Sequence, residues 1–343
     1  MEAETSAMAQ GMRQDEDAKL FRLSTERHEE ADSREYADYS YARETLGRFL
    51  ANKGATIAVV IIFAIVVLAI VCPMLSPYTY YDVDSSQANL LPRMPGLEQL
   101  GIFDGTRNGI DYYAAQGVPD AYHYFGTDSL GRDIWTRVWC GTRISLAIAL
   151  VAVVVDVVIG VVYGLISGYF GGKVDIVMQR ITEILSSIPQ LVIVTLMIVV
   201  LQPGLGNIVI ALFITGWIDM SRIVRAQVLK MKNQEFVLAA RTLGVKPKDI
   251  IFKEILPNTL AQIVVTFMFS IPNAIFLEAF LAFVGLGVPA PTASLGTLIN
   301  DGYKAATIFP YQVVAPVVVL AVLMLGFNLF GDGLRDAIDP ERS

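Results

Sequence analysis

TIAVVIIFAIVVLAIVC, Thr56 to Cys72, carries no charged side chain and ends against Pro73. At about 1.5 Å of rise per residue such a run nearly crosses a hydrocarbon core of about 30 Å, so it predicts a transmembrane helix. Outward from it the pattern recurs. A second span is expected from Ile144 to Phe170, where Gly160, Gly164 and Gly168 at four-residue spacing would let another helix approach closely. The GGKVD turn, Gly171 to Asp175, returns the chain into a third span from about Asp175, whose lipid-depth part, IPQLVIVTLMIVVL, is bent by Pro189. After QPGLGN a shorter fourth run covers Ile208 to Trp217. A fifth extends from Leu260 to about Val284, and a sixth from Val313 to Phe330. The expectation is an all-α membrane protein with six transmembrane helices.

Composition agrees. Of 343 residues 54% are apolar and 17% charged, against about 25% charged in ordinary soluble chains. Cys72 and Cys140 are too few and too far apart for a disulfide framework, and with only His28 and His123 a histidine-based zinc site is not expected. A net charge of −7 argues against nucleic acid, but in a membrane protein the distribution of charge across the bilayer says more.

That distribution sets the sidedness. Residues 1–53 form an acidic tail, expected in the cytoplasm, which closes on YARETLGRFLANKG. There Tyr41, Leu46, Phe49 and Leu50 fall at roughly helical spacing beside Arg43, Arg48 and Lys53, the pattern of an interfacial helix. No cleavable signal peptide is read in this tail, so the first span, within 54–75, is an internal anchor. Residues 76–141 are rich in Tyr, Gly, Pro and Asp, as suits a long extracytoplasmic loop. Residues 142–334 hold the other five spans, and 335–343 are a short tail. Keeping the short fourth span places Arg222, Arg225, Lys230, Lys232, Arg241, Lys246, Lys248 and Lys253 in the cytoplasm together with both termini.

The basic segment 221–257 carries more than charge. Its opening, SRIVRAQVLKMK, continues the fourth helix out of the membrane. EFVLAARTLG then forms a second, short helix with Phe236, Ala239, Ala240 and Leu243 on one side, where small residues permit close packing against a partner. Gly244 supplies a helix stop, Pro247 starts the next helical piece, and Pro257 sits where the fifth span begins. Basicity alone says only that the loop is cytoplasmic. The spacing of Ala239, Ala240, Gly244, Leu256 and Pro257 resembles the EAA loop of ATP-binding-cassette importer permeases, in the AAR…G form of the peptide-transporter branch, with Leu238 where glutamate usually sits. HYFGTDSLGRDIWTRVWCGTRISL, from His123, resembles the GTD..GRD stretch of dipeptide and oligopeptide permeases of the C-subunit type, and GYFGGKVD and FVGLGVPAPTASLG match the same branch.

The resemblance covers nearly everything after Leu46 and implies a type I importer permease in a bacterial plasma membrane. It implies a heterodimer with a homologous permease, two ATPase subunits that bind ATP and magnesium, and an extracytoplasmic peptide-binding protein. Phe236, Ala239, Ala240, Arg241, Gly244, Leu256 and Pro257 would contact the ATPases. The chain itself would be no enzyme and bind no cofactor or metal. SGYFGGKV has Ser167 and Val174 where a phosphate-cradling loop needs glycine and a hydroxyl.

Gly126, Thr127, Asp128, Gly131, Arg132 and Asp133 read as a capped turn leading into an outer-surface helix that ends at the second span, a structural clamp or a surface met by a delivering protein. No nucleophile or metal ligands lie near Asp128 and Asp133 in sequence to make them catalytic. Within the spans Asp156, Asn273, Glu278 and Asn328 are candidates to line a pathway, since polar groups at membrane depth face a bundle interior or a water-filled route, whereas Asp219 is read as a helix-end cap. Besides a non-transporting scaffold, two other functions remain open on sequence. One is an ion-gradient-driven transporter using Glu278 or Asp156 as coupling carboxylate. The other is an importer permease for another small solute such as a nickel complex.

Overall fold

The computed structural model describes residues 43–338 except 203, so the acidic tail through Tyr41 and the last five positions lie outside the described residues. Two units are distinguished, Met1–Ala51 and Asn52–Ser343. In the first, residues 43–51 are helical, with Phe49 buried and Leu46 and Leu50 exposed.

In the second unit α1 spans Lys53–Leu75, capped by Asn52, whose side chain accepts from the Gly54 and Ala55 amides. Pro73 lies inside it and has no N–H for the Ala69 carbonyl one turn back. Arg143 fills the gap, donating from Nε at 3.2 Å and Nη2 at 2.8 Å to Ala69 O. The apolar run therefore passes its proline as helix because a neighbour supplies the missing donor.

The loop that follows is ordered. It holds a hairpin of β1, Thr106–Arg107, and β2, Ile110–Asp111, and the one-turn helix α2, Tyr112–Ala115. Tyr113 is fully buried and donates to Leu91 O, while Arg93 lies over the rings of Tyr113 and Tyr122 and pairs with Glu98 at 2.8 Å. Burial raises the Tyr113 hydroxyl pKa.

The second span, α3, covers Ile134–Phe170. It begins earlier than the expected Ile144, because Asp133 caps it by accepting from Thr136 N, so the outer-surface helix and the span are one element and the loop ends at 133. The third span is a bent pair, α4 (Gly172–Ser186) and α5 (Gln190–Leu201), turning by 76° at the break before Gln190, where Pro189 lies. The fourth, α6, covers Leu205–Met231, far longer than its apolar run. Its buried residues Ile208, Ala211, Leu212, Thr215, Ile218, Ser221, Val224 and Val228 follow helical spacing, and the charges lie off that stripe. Asp219 is consequently in mid-helix, 3.7 Å from Arg222, and does not cap an end. Three glycines let α3 and α6 close: an added Cβ at Gly160 would stand 2.6 Å from Met220 Cβ, at Gly164 2.6 Å from Ser221 O, and at Gly168 2.7 Å from Val228 Cβ.

After the short helix α7, Glu235–Thr242, the helix α8 covers Pro247–Leu286. It has a π-helical stretch at Ile250–Ile255 and a second at Ala282–Leu286, broken by Gly285 at φ 89°. Pro257 lies in the first turn of the α-helical part, Leu256–Leu281, directly after the wide turns and at the entry to the span as expected, where a missing N–H costs least. The Gly/Pro-rich stretch after it ends in a helix that sequence reading missed. This is α9, Leu295–Ala305, opened by a capping box between Ser294 and Thr297. The last helix, α10, covers Tyr311–Ile338.

Among the described residues five helices are long and apolar enough to cross a membrane, and six spans result if the bent pair is one. One core unites α1, α3, α8 and α10 through Ile65, Ala69, Ala149, Val153, Ile271, Ile275 and Leu323. A second unites α3, α5, α6 and α8 through Ala152, Val194, Ile198, Leu212 and Leu281.

Candidate functional site: docking segment, loop clamp and membrane cavity

Between α6 and α8 the chain makes a compact excursion. Helix α7 ends in a paired closure: Gly244 N donates to Arg241 O at 3.0 Å and Val245 N to Ala240 O at 3.1 Å, with Gly244 at φ +75°. This is the Schellman arrangement, which needs a left-handed residue at the first position past the helix. Val237 is fully buried beneath α7, in a core with Leu165 of α3, Val224 and Val228 of α6, and Ile250, Ile251 and Ile255 of α8. Arg241 reaches across to the Tyr169 ring, 5.0 Å from its centroid. The opposite side is open: Phe236 is 41% exposed, Leu243 81%, and Ala239 lies between them. Ala240 does not share that face fully. It stands at the border and packs inward on the Val237 side, because three residues from Val237 it falls under the same turn. Leu256 also packs inward, at the end of the π stretch. The membrane-side support is ionic, with Arg225 donating to both oxygens of Asp175 at 2.7 and 2.6 Å and Lys232 to Gly168 O at 3.1 Å.

At the other end of α3 the residues of the GTD..GRD stretch converge. The Asp128 carboxylate accepts from Leu130 N, Arg132 N, Arg132 Nε and the Arg137 guanidinium, and Asp301 of α9 stands 3.8 Å from both arginines. Asp133 accepts from Thr136 and pairs with His123 at 2.7 Å, and His123 in turn meets Gln87. Thr127 accepts from Leu90 N at 2.8 Å and donates to Gln87 O. Gly126 (φ +75°) and Gly131 (φ +74°) lie against Leu90 O and Asp84 O, where an added Cβ would overlap either carbonyl. The charges of Asp128, Arg132, Arg137 and Asp133 are thus paired within the fold, with Arg137 Nε alone of that guanidinium's nitrogens buried without a hydrogen-bond partner, and the arrangement clamps the loop to α3 and α9. Sequence reading missed Arg137, Asp301 and His123, whose partners are distant or on another element. Nearby, Asp84 is held below the usual carboxylate range by hydrogen bonds from Ser86 and Gln87.

The four pathway candidates separate. Asp156 and Asn273 come together on a cavity of about 450 Å3 among α3, α6 and α8, which Gln190, Asp219, Thr266 and Ser270 also line. Glu278 is elsewhere, 1% exposed, accepting from Ser145 Oγ at 2.8 Å; Ser145 also accepts from Leu295 N, so this group ties α3, α8 and the start of α9 together. Asn328 is exposed on α10 and lines no part of the cavity. Thr266, Ser270 and Asn273 recur at helical spacing, the signal in sequence that would have found this face.

Comparison with known proteins follows the same geography. The family model described as "Binding-protein-dependent transport system inner membrane component" matches residues 160–343, and the N-terminal TM domain of oligopeptide transport permease C matches 40–92. The oligopeptide transport system permease protein OppC of Bacillus subtilis (strain 168) is 43% identical, over 87% of this chain and 89% of its own. The dipeptide transport system permease protein DppC of the same organism is 41% identical over 94% and 92%, and that of Lactococcus lactis subsp. cremoris (strain MG1363) 45% over 89% and 92%. Among solved structures, one of the MetNI methionine ABC transporter in an inward facing conformation superposes with a TM-score of 0.48 at 22% identity, over 58% of this chain and 94% of the other. The relatives are permease subunits, aligned along almost their whole length, and the chain belongs to the family of binding-protein-dependent transport system inner membrane components.

Proposed function

We infer that the chain is one of two permease subunits of an ATP-driven importer of oligopeptides or dipeptides, forming half of the translocation pathway. The observation that carries this reading is the full-length similarity to OppC and DppC permeases of two organisms. The geometry supports the division of labour. Helix α7 offers Phe236, Ala239 and Leu243 outward while its other side is keyed into α3, α6 and α8. A partner that seats on the outward side and moves would carry those helices with it.

In this reading ATP and magnesium belong to two ATPase subunits, hydrolysis is theirs, and this chain holds no nucleotide. A homologous permease would cover the apolar surfaces left open on the spans, and an external binding protein would deliver the peptide at the loop-bearing face. Closure of the ATPases would act by contacting α7 differently in two states, as any switch requires.

The test is uptake of a labelled peptide into proteoliposomes holding both permeases and both ATPases, with binding protein outside and ATP inside. The expected result is uptake that needs ATP, the ATPases and the binding protein together. Uptake that persists without ATP and the ATPases but collapses with the proton gradient would refute it.

A further inference from the structure

We propose that the cavity among α3, α6 and α8 is a subsite for the α-ammonium group of a passing peptide, with the Asp156 carboxylate as its acceptor; this rests on the peptide-import reading above. One acceptor of the Asp156 carboxylate is unused. Asp156 Oδ1 is buried and has no hydrogen-bond partner, and an orphaned buried carboxylate oxygen is costly unless something fills it in use. Among the described residues no Lys, Arg or His lines the cavity to do so from within. An alkylammonium brings a positive charge and three donors.

The remaining lining fits the rest of such a ligand. Asp219, largely exposed at 88%, adds a second acid, and its neighbour Arg222, 3.7 Å away, is not among the lining residues. Asn273 supplies a neutral donor and acceptor, and Ser270 and Thr266, whose hydroxyls donate to Thr266 O and Gln262 O, keep lone pairs free as acceptors, a set suited to a first peptide unit, whose amide and carbonyl are the same in every peptide. Phe269, Phe276 and Leu277 leave an apolar wall that sets no demand on side-chain type. A volume of about 450 Å3 lies within the range of small-ligand pockets, about 300–1,000 Å3. A charge that every free peptide carries, read at one point, with sequence-tolerant surroundings, is the specificity a broad importer needs.

Gly216 of α6 is part of the construction. A Cβ at this position would overlap the Asp156 carboxylate, so the glycine keeps the acid in place while adding no side chain of its own. This gives two independent ways to disturb the subsite, removing the charge with Asp156→Asn and displacing the carboxylate with Gly216→Ala.

The experiment compares uptake of one peptide with its N-acetylated form, each presented on saturating preloaded binding protein to the complete transporter in proteoliposomes. The native assembly is expected to favour the free amine, by on the order of tenfold for one charge-assisted hydrogen bond. Asp156→Asn and Gly216→Ala are each expected to bring the ratio towards one, and Asp156→Glu to retain a preference. A native ratio of one overturns the proposal, as does a preference undiminished in assembled Asp156→Asn. If Asp156→Asn fails to assemble, Gly216→Ala and Asp156→Glu decide by the same ratio. No uptake of either form by the native assembly would instead sink the peptide-import reading itself.

Discussion

Leu243→Asp separates docking from folding. Leu243 is the C-cap residue of α7 and 81% exposed, so the change removes almost no intramolecular contact, and surface substitutions of this kind stay within about 0.5 kcal/mol of stability. If an ATPase cleft receives this side, docking removes most of a leucine from water. Complete burial of a leucine is worth about 1.5–3 kcal/mol, so at this exposure roughly 1.5–2 kcal/mol is lost by the substitution. An aspartate desolvated in the same apolar cleft adds at least another ~1 kcal/mol. Together about 2.5–3 kcal/mol corresponds to a fall in ATPase affinity of roughly 70- to 160-fold. The assay is titration of the ATPase subunits onto the detergent-solubilised permease pair, alongside thermal unfolding of the pair alone. Val237→Asp is the contrast, since it places a charge in the core under α7 and should lower both affinity and melting temperature. Unchanged ATPase affinity for Leu243→Asp, with the pair intact, would show that this face meets nothing.

Three further outcomes are expected. Gly131→Ala should lower the stability of the permease pair by about 2 kcal/mol or more, because φ +74° disfavours any side chain and the new Cβ would overlap Asp84 O; thermal unfolding with and without the change measures it. Arg143→Met should cost about 1–3 kcal/mol by leaving Ala69 O without its donor at the Pro73 break in α1, and an unchanged melting temperature would refute the bracing role. Arg241→Ala removes the contact with Tyr169 that ties α7 to the end of α3 and should uncouple: ATP hydrolysis by the assembled transporter persists while peptide uptake falls several-fold, whereas a parallel loss of both would point to lost assembly.

The lipid-facing runs were legible because charge is costly along a helix in lipid, so α1, uncharged from Thr56 to Cys72, and the body of α3, where Asp156 is the one charged residue from Ile144 to Phe170, stand out from their composition. The local structure between α6 and α8 was legible for a different reason: Gly244 and Pro247 are punctuation whose geometry depends on neighbours only a few residues away. What escaped was whatever a distant partner decides. Helix α3 starts at Ile134 because Arg137 and Arg143, which look like interruptions, are neutralised or put to use by Asp128 and by the Ala69 carbonyl. Helix α6 looked short because Asp219, Arg222 and Arg225 break its apolar run without touching its buried stripe. Helix α9 was concealed by the glycine and prolines before it, although Ser294 and Thr297 form a capping box. The Ser145 partner of Glu278 lies 133 residues away, beyond any local pattern.

The packing also explains how the short helix α7 could govern a cavity within the spans. The core beneath α7 consists of residues from α3, α6 and α8, and the cavity holding Asp156, Asp219 and Asn273 is lined by those same helices further along their lengths. At Gly160, Gly164 and Gly168 the α3 backbone packs directly on α6 backbone atoms and on the Met220, Val224 and Val228 side chains with no room for a Cβ, so a displacement of one helix would carry the other with it. Helix α8 differs. Its π turns at Ile250–Ile255 and its break at Gly285 bracket the segment that carries Thr266, Ser270 and Asn273, and wide turns are where a helix changes direction at least cost. A push on α7 would therefore move α3 and α6 as a rigid pair against an α8 hinged at both ends. The cavity between them is the place where that relative motion changes the distance from Asp156 to Asn273.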